Sequence, residues 1–277
     1  MAVSKPVIGA GMVVVAVVAL VVGLYASPLI FPTAKEEDPI WARVTSADKI
    51  IVGTEPGWPP YEYLNETGAI IGFEIELTEM IADELTVTVE WRNMGFDAII
   101  PAVQAMDIDL GVSGFSVKPA RLDVVQFTMP HSITEGQVIM LQTRATQLGI
   151  TQLTSLENLT QLNLECGTQI GTTQEEELMA VAPGALTSYT DFLLALADMK
   201  RGAIDCIYAE TPITTGWIAD AIENGETPIV VIFNRPYYPV AFVAHQDADT
   251  LVAKIDGILA EMIAAGELDQ LKTKWKC

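Results

Sequence analysis

The sequence predicts an α/β protein of two lobes, preceded by an N-terminal transmembrane helix. Three observations support this prediction. Short apolar runs alternate with segments of helical periodicity after residue 48, this alternation occurs in two series of similar size, and a long uncharged apolar stretch lies near the N-terminus. In such a fold we expect a ligand to bind where the strand ends of the two halves face each other.

The N-terminal apolar stretch determines the predicted compartment. Residues 7–24 carry no charged side chain and are long enough to cross a bilayer at about 1.5 Å per residue. Lys5 precedes them and three acidic residues follow at 36–38, which places the amino end in the cytoplasm and the rest of the chain outside. Cleavage as a signal peptide is the alternative, although Leu24 weakens the cleavage pattern. We expect residues 1–26 to be a membrane anchor or signal segment and the proline-containing residues 27–47 to be a tether.

The first α/β series follows the tether. Apolar runs predict strands, and apolar residues at helical spacing predict a helix after the acidic start Glu74-Ile75-Glu76 and another that begins at Phe96. The predicted strands are Ile50–Gly53, Val87–Trp91 and Ile108–Val112.

The second series begins near Val138. It contains a helix after Gly171, a helical stripe that begins at Phe192, and a final amphipathic helix from Leu251 to Ile263. The predicted strands are Val138–Leu141, Leu162–Cys166, Ile204–Tyr208, Ile229–Phe233 and Val240–Ala244.

Composition excludes several classes of function. The 36 acidic residues outnumber the 15 basic ones and give a formal charge of −21 at pH 7, which repels phosphate backbones and excludes nucleic-acid binding. Cys166, Cys206 and Cys277 lie far apart, which indicates neither a metal site nor a redox dithiol; Cys166 and Cys206 are interpreted as buried thiols or as a single bridge. No nucleophile-elbow, Walker or zinc-protease motif is present, so we expect no metal, no cofactor and no enzymatic activity.

Candidate binding residues follow two strands of the first series. Glu55 and Trp58 lie in a loop that three prolines stiffen, although Trp58 in such a turn can simply cover the core. Ser113, Gly114 and Ser116 follow the next strand, with Arg121 five residues later; an arginine fork binds carboxylates well, but Arg121 can instead pair with Asp123.

Two further candidates come from the second series. The run Gly171-Thr172-Thr173-Gln174 is typical of a helix start capped by a threonine, where free N–H groups bind anions. An ordinary cap without a ligand is the alternative. Glu210 stands at the end of a strand, where its carboxylate can accept an ammonium group; a solvated acid or a helix cap is the alternative.

These residues together resemble the polar amino-acid binding proteins of ABC importers, the extracellular solute-binding protein family 3. The resemblance covers about residues 48–275. It rests on five motifs in the family's order: Gly72-Phe73-Glu74-Ile75-Glu76-Leu77, Phe96 to Pro101, Ser113 to Val117 with Arg121, Gly171 to Gln174, and Asp205 to Glu210.

The resemblance implies a two-lobed periplasmic-binding-protein-like fold of type II that closes on its ligand about a hinge of two crossing segments. It places lobe 1 at residues 48–134 and 238–277 and lobe 2 at residues 135–237.

The resemblance also implies a role for each candidate residue. Arg121 would hold the ligand α-carboxylate with help from Ser116 and the backbone near Thr173, and Glu210 would hold the α-ammonium group. Trp58 and Phe96 would enclose the ligand side chain, Glu55 would face its polar tip, and Ser113 and Gly114 would add contacts. Two residues depart from the family pattern: Lys118 replaces a threonine and Glu210 replaces an aspartate.

The predicted function is the capture of a polar amino acid outside the cytoplasm, by a monomer that delivers it to an ABC permease. Glu55 beside two aromatic residues favours arginine, lysine or histidine, then glutamine, unless Lys118 neutralises Glu55. The alternatives are an extracytoplasmic dehydratase of the same fold and an amino-acid sensor ectodomain.

Overall fold

The alternating strands and helices build two five-stranded sheets with helices packed against them. The computed structural model describes residues 38–277 of the chain, which form one compact unit. The predicted anchor at residues 1–26 lies outside the described residues. No helix formed by residues 38–277 has the length and apolar character needed to cross a bilayer.

The secondary structure follows the two predicted series. In chain order the elements are α1 (Pro39–Ala47), β1 (Lys49–Thr54), β2 (Gly57–Trp58), β3 (Glu62–Leu64), β4 (Ile70–Ile71), α2 (Phe73–Glu84), β5 (Thr88–Asn93), α3 (Phe96–Gln104), β6 (Leu110–Gly111), α4 (Pro119–Leu122), β7 (Gln126–Phe127), β8 (Ser132–Leu141), α5 (Gln142–Leu148), α6 (Glu157–Gln161), β9 (Cys166–Gln169), α7 (Thr173–Val181), β10 (Leu186–Tyr189), α8 (Phe192–Lys200), β11 (Cys206–Glu210), α9 (Thr211–Glu223), β12 (Ile229–Val240), β13 (Val243–Ala244), α10 (Asp249–Ala265) and α11 (Glu267–Trp275).

The first sheet forms the centre of lobe 1. Its strand order is β5-β1-β6-β13-β7, with β1 parallel to both of its neighbours and β13 antiparallel to both of its own. Alternate residues of β1 point to opposite faces: Ile50 and Val52 join one buried cluster, and Ile51 packs against another that contains Ile99 and Val103 of α3. Helices therefore cover both faces of a mostly parallel sheet.

The second sheet forms the centre of lobe 2. Its strand order is β10-β9-β11-β8-β12, and β11 is parallel to β9 but antiparallel to β8. In β11, Cys206 and Tyr208 belong to one buried cluster and Ile207 and Ala209 to the other. Cys206 lies directly opposite Cys166 in register, and both are buried free thiols.

Two crossing segments connect the sheets. Residues 128–131 lead from the first sheet into β8, and residues 241–242 lead back from β12 into the first sheet. The segments run side by side, since Thr128 N donates to Phe242 O and His131 N donates to Val240 O, each at 3.0 Å. The predicted lobe boundaries, 134/135 and 238, fall inside the long antiparallel strands β8 and β12 and stay a prediction.

The tether expected at residues 27–47 is wrong for its last part, because residues 39–47 form α1. Asp38 caps this helix by accepting hydrogen bonds from Ile40 N and Trp41 N, and Pro39 occupies its first turn. Ile40 and Val44, four residues apart, are buried against the body of the protein. The same Asp38 carboxylate accepts from Thr250 N and Leu251 N, so it also caps α10.

Two predicted strands of the second series differ from the structure. The strand expected at Val240–Ala244 is divided between the end of β12 and β13, because residues 241–242 form a crossing segment. Residues 162–163 form a turn, and the strand expected at Leu162–Cys166 is instead β9, which begins at Cys166. The reason is its composition: Cys-Gly-Thr-Gln has little apolar character, although all four residues are buried. The apolar pattern therefore indicated the segment before the strand.

Candidate functional site

Strand and helix ends from both sheets surround one cavity of about 460 Å³ of empty space, including the part open to solvent. Every residue that the sequence predicted for the site lines this cavity. These residues are Glu55, Trp58, Phe96, Ser113, Gly114, Ser116, Arg121, Thr173 and Glu210. Their roles toward a ligand stay predictions.

Arg121 provides the positive charge of the cavity. It lies in the short helix α4 and is 5 % exposed, with its guanidinium carbon 5.6 and 5.4 Å from the ring centres of Phe96 and Phe115. The guanidinium donates to the carbonyls of Ser116 and Gly171, at 3.1 and 3.0 Å, and does not pair with Asp123. Burial lowers the pKa of Arg121, which the charges of Glu210 and Glu176 oppose. Carbonyl groups leave the buried charge uncompensated, so an anion is its natural partner.

Glu210 provides the opposite charge from lobe 2. It ends β11 and is 6 % exposed, and its side chain does not cap α9. Its Oε1 accepts from Ser116 Oγ at 2.8 Å and from Gln174 Nε2 at 3.1 Å, whereas Oε2 has no hydrogen-bond partner among residues 38–277. Burial raises the pKa of Glu210, and the bonds from Ser116 and Gln174 oppose this rise. The Ser116 bond joins residues that follow strands of different sheets, and the free Oε2 of Glu210 offers an acceptor in the cavity.

Glu55 marks an acidic end of the cavity. It follows β1, and both of its carboxylate oxygens accept from Gln169 Nε2, at 2.8 and 2.7 Å. Burial raises the pKa of Glu55 to about 7; the Gln169 bond opposes this shift, and the charges of Asp191 and Asp97 add to it. Lys118 does not neutralise Glu55, because its ammonium lies 2.5 Å from Glu176 of α7. This end therefore favours a cationic group.

Aromatic rings form the walls. Trp58 is 8 % exposed and packs against Tyr61 with ring centres 4.7 Å apart, so it lines the cavity and also belongs to the core. Its ring covers Gly114, where an added Cβ would lie 2.0 Å from the indole and φ is +60°. Phe96 stacks on Phe115 at 4.8 Å. Only glycine fits beneath Trp58, which fixes the turn that follows β6.

The start of α7 faces the cavity as predicted. Thr172 Oγ1 caps the helix by accepting from Glu175 N at 3.2 Å, and Thr173 Oγ1 is buried without a hydrogen-bond partner among the described residues. The first N–H groups of a helix lack partners within the helix. This corner of the cavity can therefore donate hydrogen bonds to a carboxylate.

Several cavity residues were missed from the sequence. Gln169 was missed because β9 was placed four residues too early, and Asp191 because its role as the cap of α8 accounts for an acid at that position. Gln174 lies in the predicted helix start Gly171 to Gln174 but was not among the predicted ligand contacts. The full set of additional lining residues is Gly57, Glu62, Gln169, Thr172, Gln174, Asp191 and Phe192.

Comparison with known proteins identifies the family. A family model described as bacterial extracellular solute-binding proteins, family 3, matches residues 50–276. The putative ABC transporter arginine-binding protein 2 of Escherichia coli K12 is 25 % identical over 236 residues, which cover 83 % of this chain and 92 % of that protein.

Solved structures share the fold. An ancestral arginine-binding protein bound to arginine matches with a TM-score of 0.74 and 27 % identity, over 82 % of this chain and 98 % of that one. An ancestral amino acid-binding protein, described as a precursor of cyclohexadienyl dehydratase, matches with a TM-score of 0.74 and 24 % identity, over 84 % and 98 %. These matches confirm the predicted α/β periplasmic-binding-protein fold. The chain therefore belongs to the bacterial extracellular solute-binding proteins of family 3.

Proposed function

We propose that this chain captures a cationic amino acid outside the cytoplasm, with arginine the first candidate, and delivers it to the permease of an ABC importer. One observation carries the proposal: Arg121 from lobe 1 and Glu210 from lobe 2, both nearly fully buried, line the same cavity. A free amino acid carries a carboxylate and an ammonium group on one carbon atom. Such a ligand compensates both buried charges at once, and it favours the closed arrangement of the lobes because it binds both.

The acidic end of the cavity supports a cationic side chain. A guanidinium there would replace the Gln169 amide as the donor to Glu55, in the bidentate geometry that arginine and carboxylates adopt. Its flat face would lie between Trp58 and Phe96, which favours a cation further. Lys118, the base that would have removed this preference, is engaged by Glu176. The names of several relatives, which specify arginine, agree with this choice.

The importer and the location rest on the relatives and on the sequence. Relatives are named as binding proteins of ABC transporters, and the matched family is described as extracellular. We infer that the protein is a monomer and that the apolar stretch in residues 1–26 anchors it to the outer side of the cell membrane. Fractionation of cells followed by N-terminal sequencing tests this: a mature chain that begins after residue 26 would exclude the anchor.

An enzymatic alternative has one observation in its favour. A carboxyl whose pKa is about 7, such as Glu55, suits proton transfer near neutral pH. Arg121 and Glu210 together suit the carboxylate and the ammonium group of an amino acid, however, and a dehydratase substrate that lacks an amino group would bring no cation to Glu210. Turnover of a prephenate-like compound by the purified protein would support the enzyme instead.

Calorimetric titration of the full-length protein in mild detergent with each of the twenty amino acids tests the proposal. We expect the tightest binding for arginine, and weaker binding of agmatine, which lacks the carboxylate. Arg121→Ala should weaken arginine binding by about a hundredfold or more, because truncation of one partner of a buried charge pair costs about 3–5 kcal/mol. Arg144→Ala is the matched control, since Arg144 lies outside the cavity and pairs with Asp205. The proposal fails if no amino acid binds, or if Arg121→Ala binds arginine as well as Arg144→Ala does.

A further inference from the structure

Three buried titratable side chains adjoin the cavity, and one of them, Glu62, also lines it. Glu62 and Glu74 are fully buried and His131 is 1 % exposed. Glu74 Oε2 accepts from Gly114 N at 2.9 Å, and Glu74 Oε1 lies 2.7 Å from His131 Nε2. Glu62 Oε1 accepts from Ser113 Oγ at 3.0 Å. The two carboxyls therefore hold adjacent residues of the turn that lines the cavity.

The two carboxyls differ in their surroundings. Glu74 accepts two hydrogen bonds, from Gly114 and from His131, whereas Glu62 accepts one, from Ser113, and lies against Glu74. Burial and then the nearby charge of Glu74 raise the pKa of Glu62 well above its usual range, although the Ser113 bond opposes the rise. Two adjacent buried carboxyls do not both ionise. The surroundings of Glu62 therefore favour its protonated form.

His131 connects this cluster to the crossing segments. It immediately precedes β8, and its backbone N donates to Val240 O of β12 at 3.0 Å. Its ring packs against Phe242 with ring centres 4.5 Å apart. His131 Nδ1 has no partner among residues 38–277, which favours the tautomer that donates from Nε2 to Glu74. An unbroken chain of contacts therefore runs from Gly114 through Glu74 and His131 to both crossing segments.

The position of Glu74 in the first turn of α2 does not by itself explain why its side chain is buried. An acid near a helix N-terminus is favourable wherever its side chain points. The Glu74 side chain is turned into the core and accepts a hydrogen bond from Gly114 N. Burial of a carboxyl group costs desolvation free energy, which only specific partners offset. The burial of Glu74 therefore indicates that it stabilises the turn at Gly114 as well as the start of α2.

We propose that Glu74 and His131 are positioning residues that tie the ligand-binding turn Ser113-Gly114 to the two crossing segments, so that the site and the hinge adopt their bound geometry together. This inference rests on the proposed function. Neither residue touches the ligand; each acts through Gly114 or through the hinge. Loss of the link weakens ligand binding and the closure that accompanies it, beyond any loss of stability.

Two near-isosteric variants break the proposed link, one at each of its residues. Glu74→Gln puts one donor where two acceptors are needed, because both Gly114 N–H and His131 Nε2–H donate to this side chain. A buried donor left unsatisfied costs about 1–3 kcal/mol, so we expect arginine binding to weaken by about tenfold or more. His131→Phe keeps the ring packing on Phe242 but removes the bond, and should weaken binding as Glu74→Gln does.

The control is another buried carboxylate of lobe 1. Asp109 is 1 % exposed, accepts from Ile51 N at 2.7 Å and pairs with Arg43, but it lies outside the cavity. Asp109→Asn should lower the melting temperature and leave arginine affinity unchanged. For each full-length variant, calorimetry gives the affinity, circular dichroism gives the melting temperature without ligand, and small-angle scattering gives the compaction on arginine binding.

The outcomes are distinct. The link is supported if Glu74→Gln and His131→Phe bind arginine more weakly and compact less on binding. Their melting temperatures must then be no lower than that of Asp109→Asn. Affinities within about threefold of wild type in both variants overturn it. If Glu74→Gln does not fold, His131→Phe decides alone. If wild type and Asp109→Asn bind no amino acid, the proposed function fails and the link fails with it; if both bind, only the link is at stake.

Discussion

Gly171 offers a direct test of whether lobe closure is coupled to binding. It has a φ of +78° and lies between β9 and α7 in lobe 2, where an added Cβ would be 3.1 Å from Asp97 Cβ and 3.2 Å from Asp97 Cα in lobe 1. Its carbonyl also accepts the bond from Arg121. Gly171→Ala therefore places a methyl group between the two lobes at the point where they meet.

The substitution has two separate costs. A left-handed backbone conformation costs an alanine about 1–2 kcal/mol, and this cost is paid whether the cleft is open or closed. The contact with Asp97 exists only when the lobes are closed, and overpacking of this kind costs about 1–2 kcal/mol. Only the second cost differs between the open and the closed form, so it alone lowers the affinity. Arginine binding should therefore weaken by about five- to thirtyfold.

A second glycine separates the two costs. Gly149 ends α5 in the same lobe with a φ of +68°, and an added Cβ there meets nothing within 4 Å. Gly149→Ala should lower the melting temperature about as much as Gly171→Ala does, with arginine affinity unchanged in calorimetric titration. Equal arginine affinities in the two variants would refute the reasoning, because they would show that contact between the lobes at Asp97 is no part of the bound state.

Three further predictions concern charge and capping. Because a cationic ligand needs Glu55 ionised and its pKa is about 7, arginine affinity measured by calorimetry should fall as the pH drops from about 8 to about 6, and Glu55→Gln should flatten this dependence; an unchanged slope would contradict the role of Glu55. As the pH rises from the usual pKa of a glutamate to about 7, Glu55 makes folding less favourable, because it loses its proton in the unfolded chain but keeps it in the folded one. The free energy of unfolding of Glu55→Gln, measured by urea titration, should therefore rise relative to that of wild type over this pH range. Asp38→Ala removes the side-chain cap of both α1 and α10 and should lower the free energy of unfolding by about 1–2 kcal/mol without changing arginine affinity; a loss of affinity would show that α1 affects the cleft.

Much of the cavity could be predicted because its residues stand at the ends of strongly apolar strands. Glu210 is an example: the apolar run before it ends within two residues of the acid, and the structure places that acid at the end of β11. Ser113 follows the same rule for β6, whereas Arg121 lies in the short helix α4 farther along the chain. The resemblance to a family added the roles and the pairing of the lobes, which periodicity alone does not provide.

The residues that escaped prediction did so for physical reasons. Gln169 follows a strand that is buried but polar, so no apolar pattern marks it. The close approach of Trp58 to Gly114 joins residues that are far apart in sequence, and local rules carry no information about it. Glu74 was explained by its helix, which is correct but leaves out the contact with Gly114. Residues 39–47 looked like a tether because prolines and acids precede them, although Ile40 and Val44 form a buried face.

The place of β13 in the first sheet has a consequence for biosynthesis. All strands of the second sheet come from residues 132–240, so that sheet can pair completely as soon as this stretch has left the ribosome. The first sheet cannot, because β13, at residues 243–244, fits between β6 and β7, which are made more than a hundred residues earlier. The lobe that is begun first is therefore finished last. A chain truncated after β12 would keep its second sheet and present the facing edges of β6 and β7 unpaired, where chaperones and aggregation compete for it.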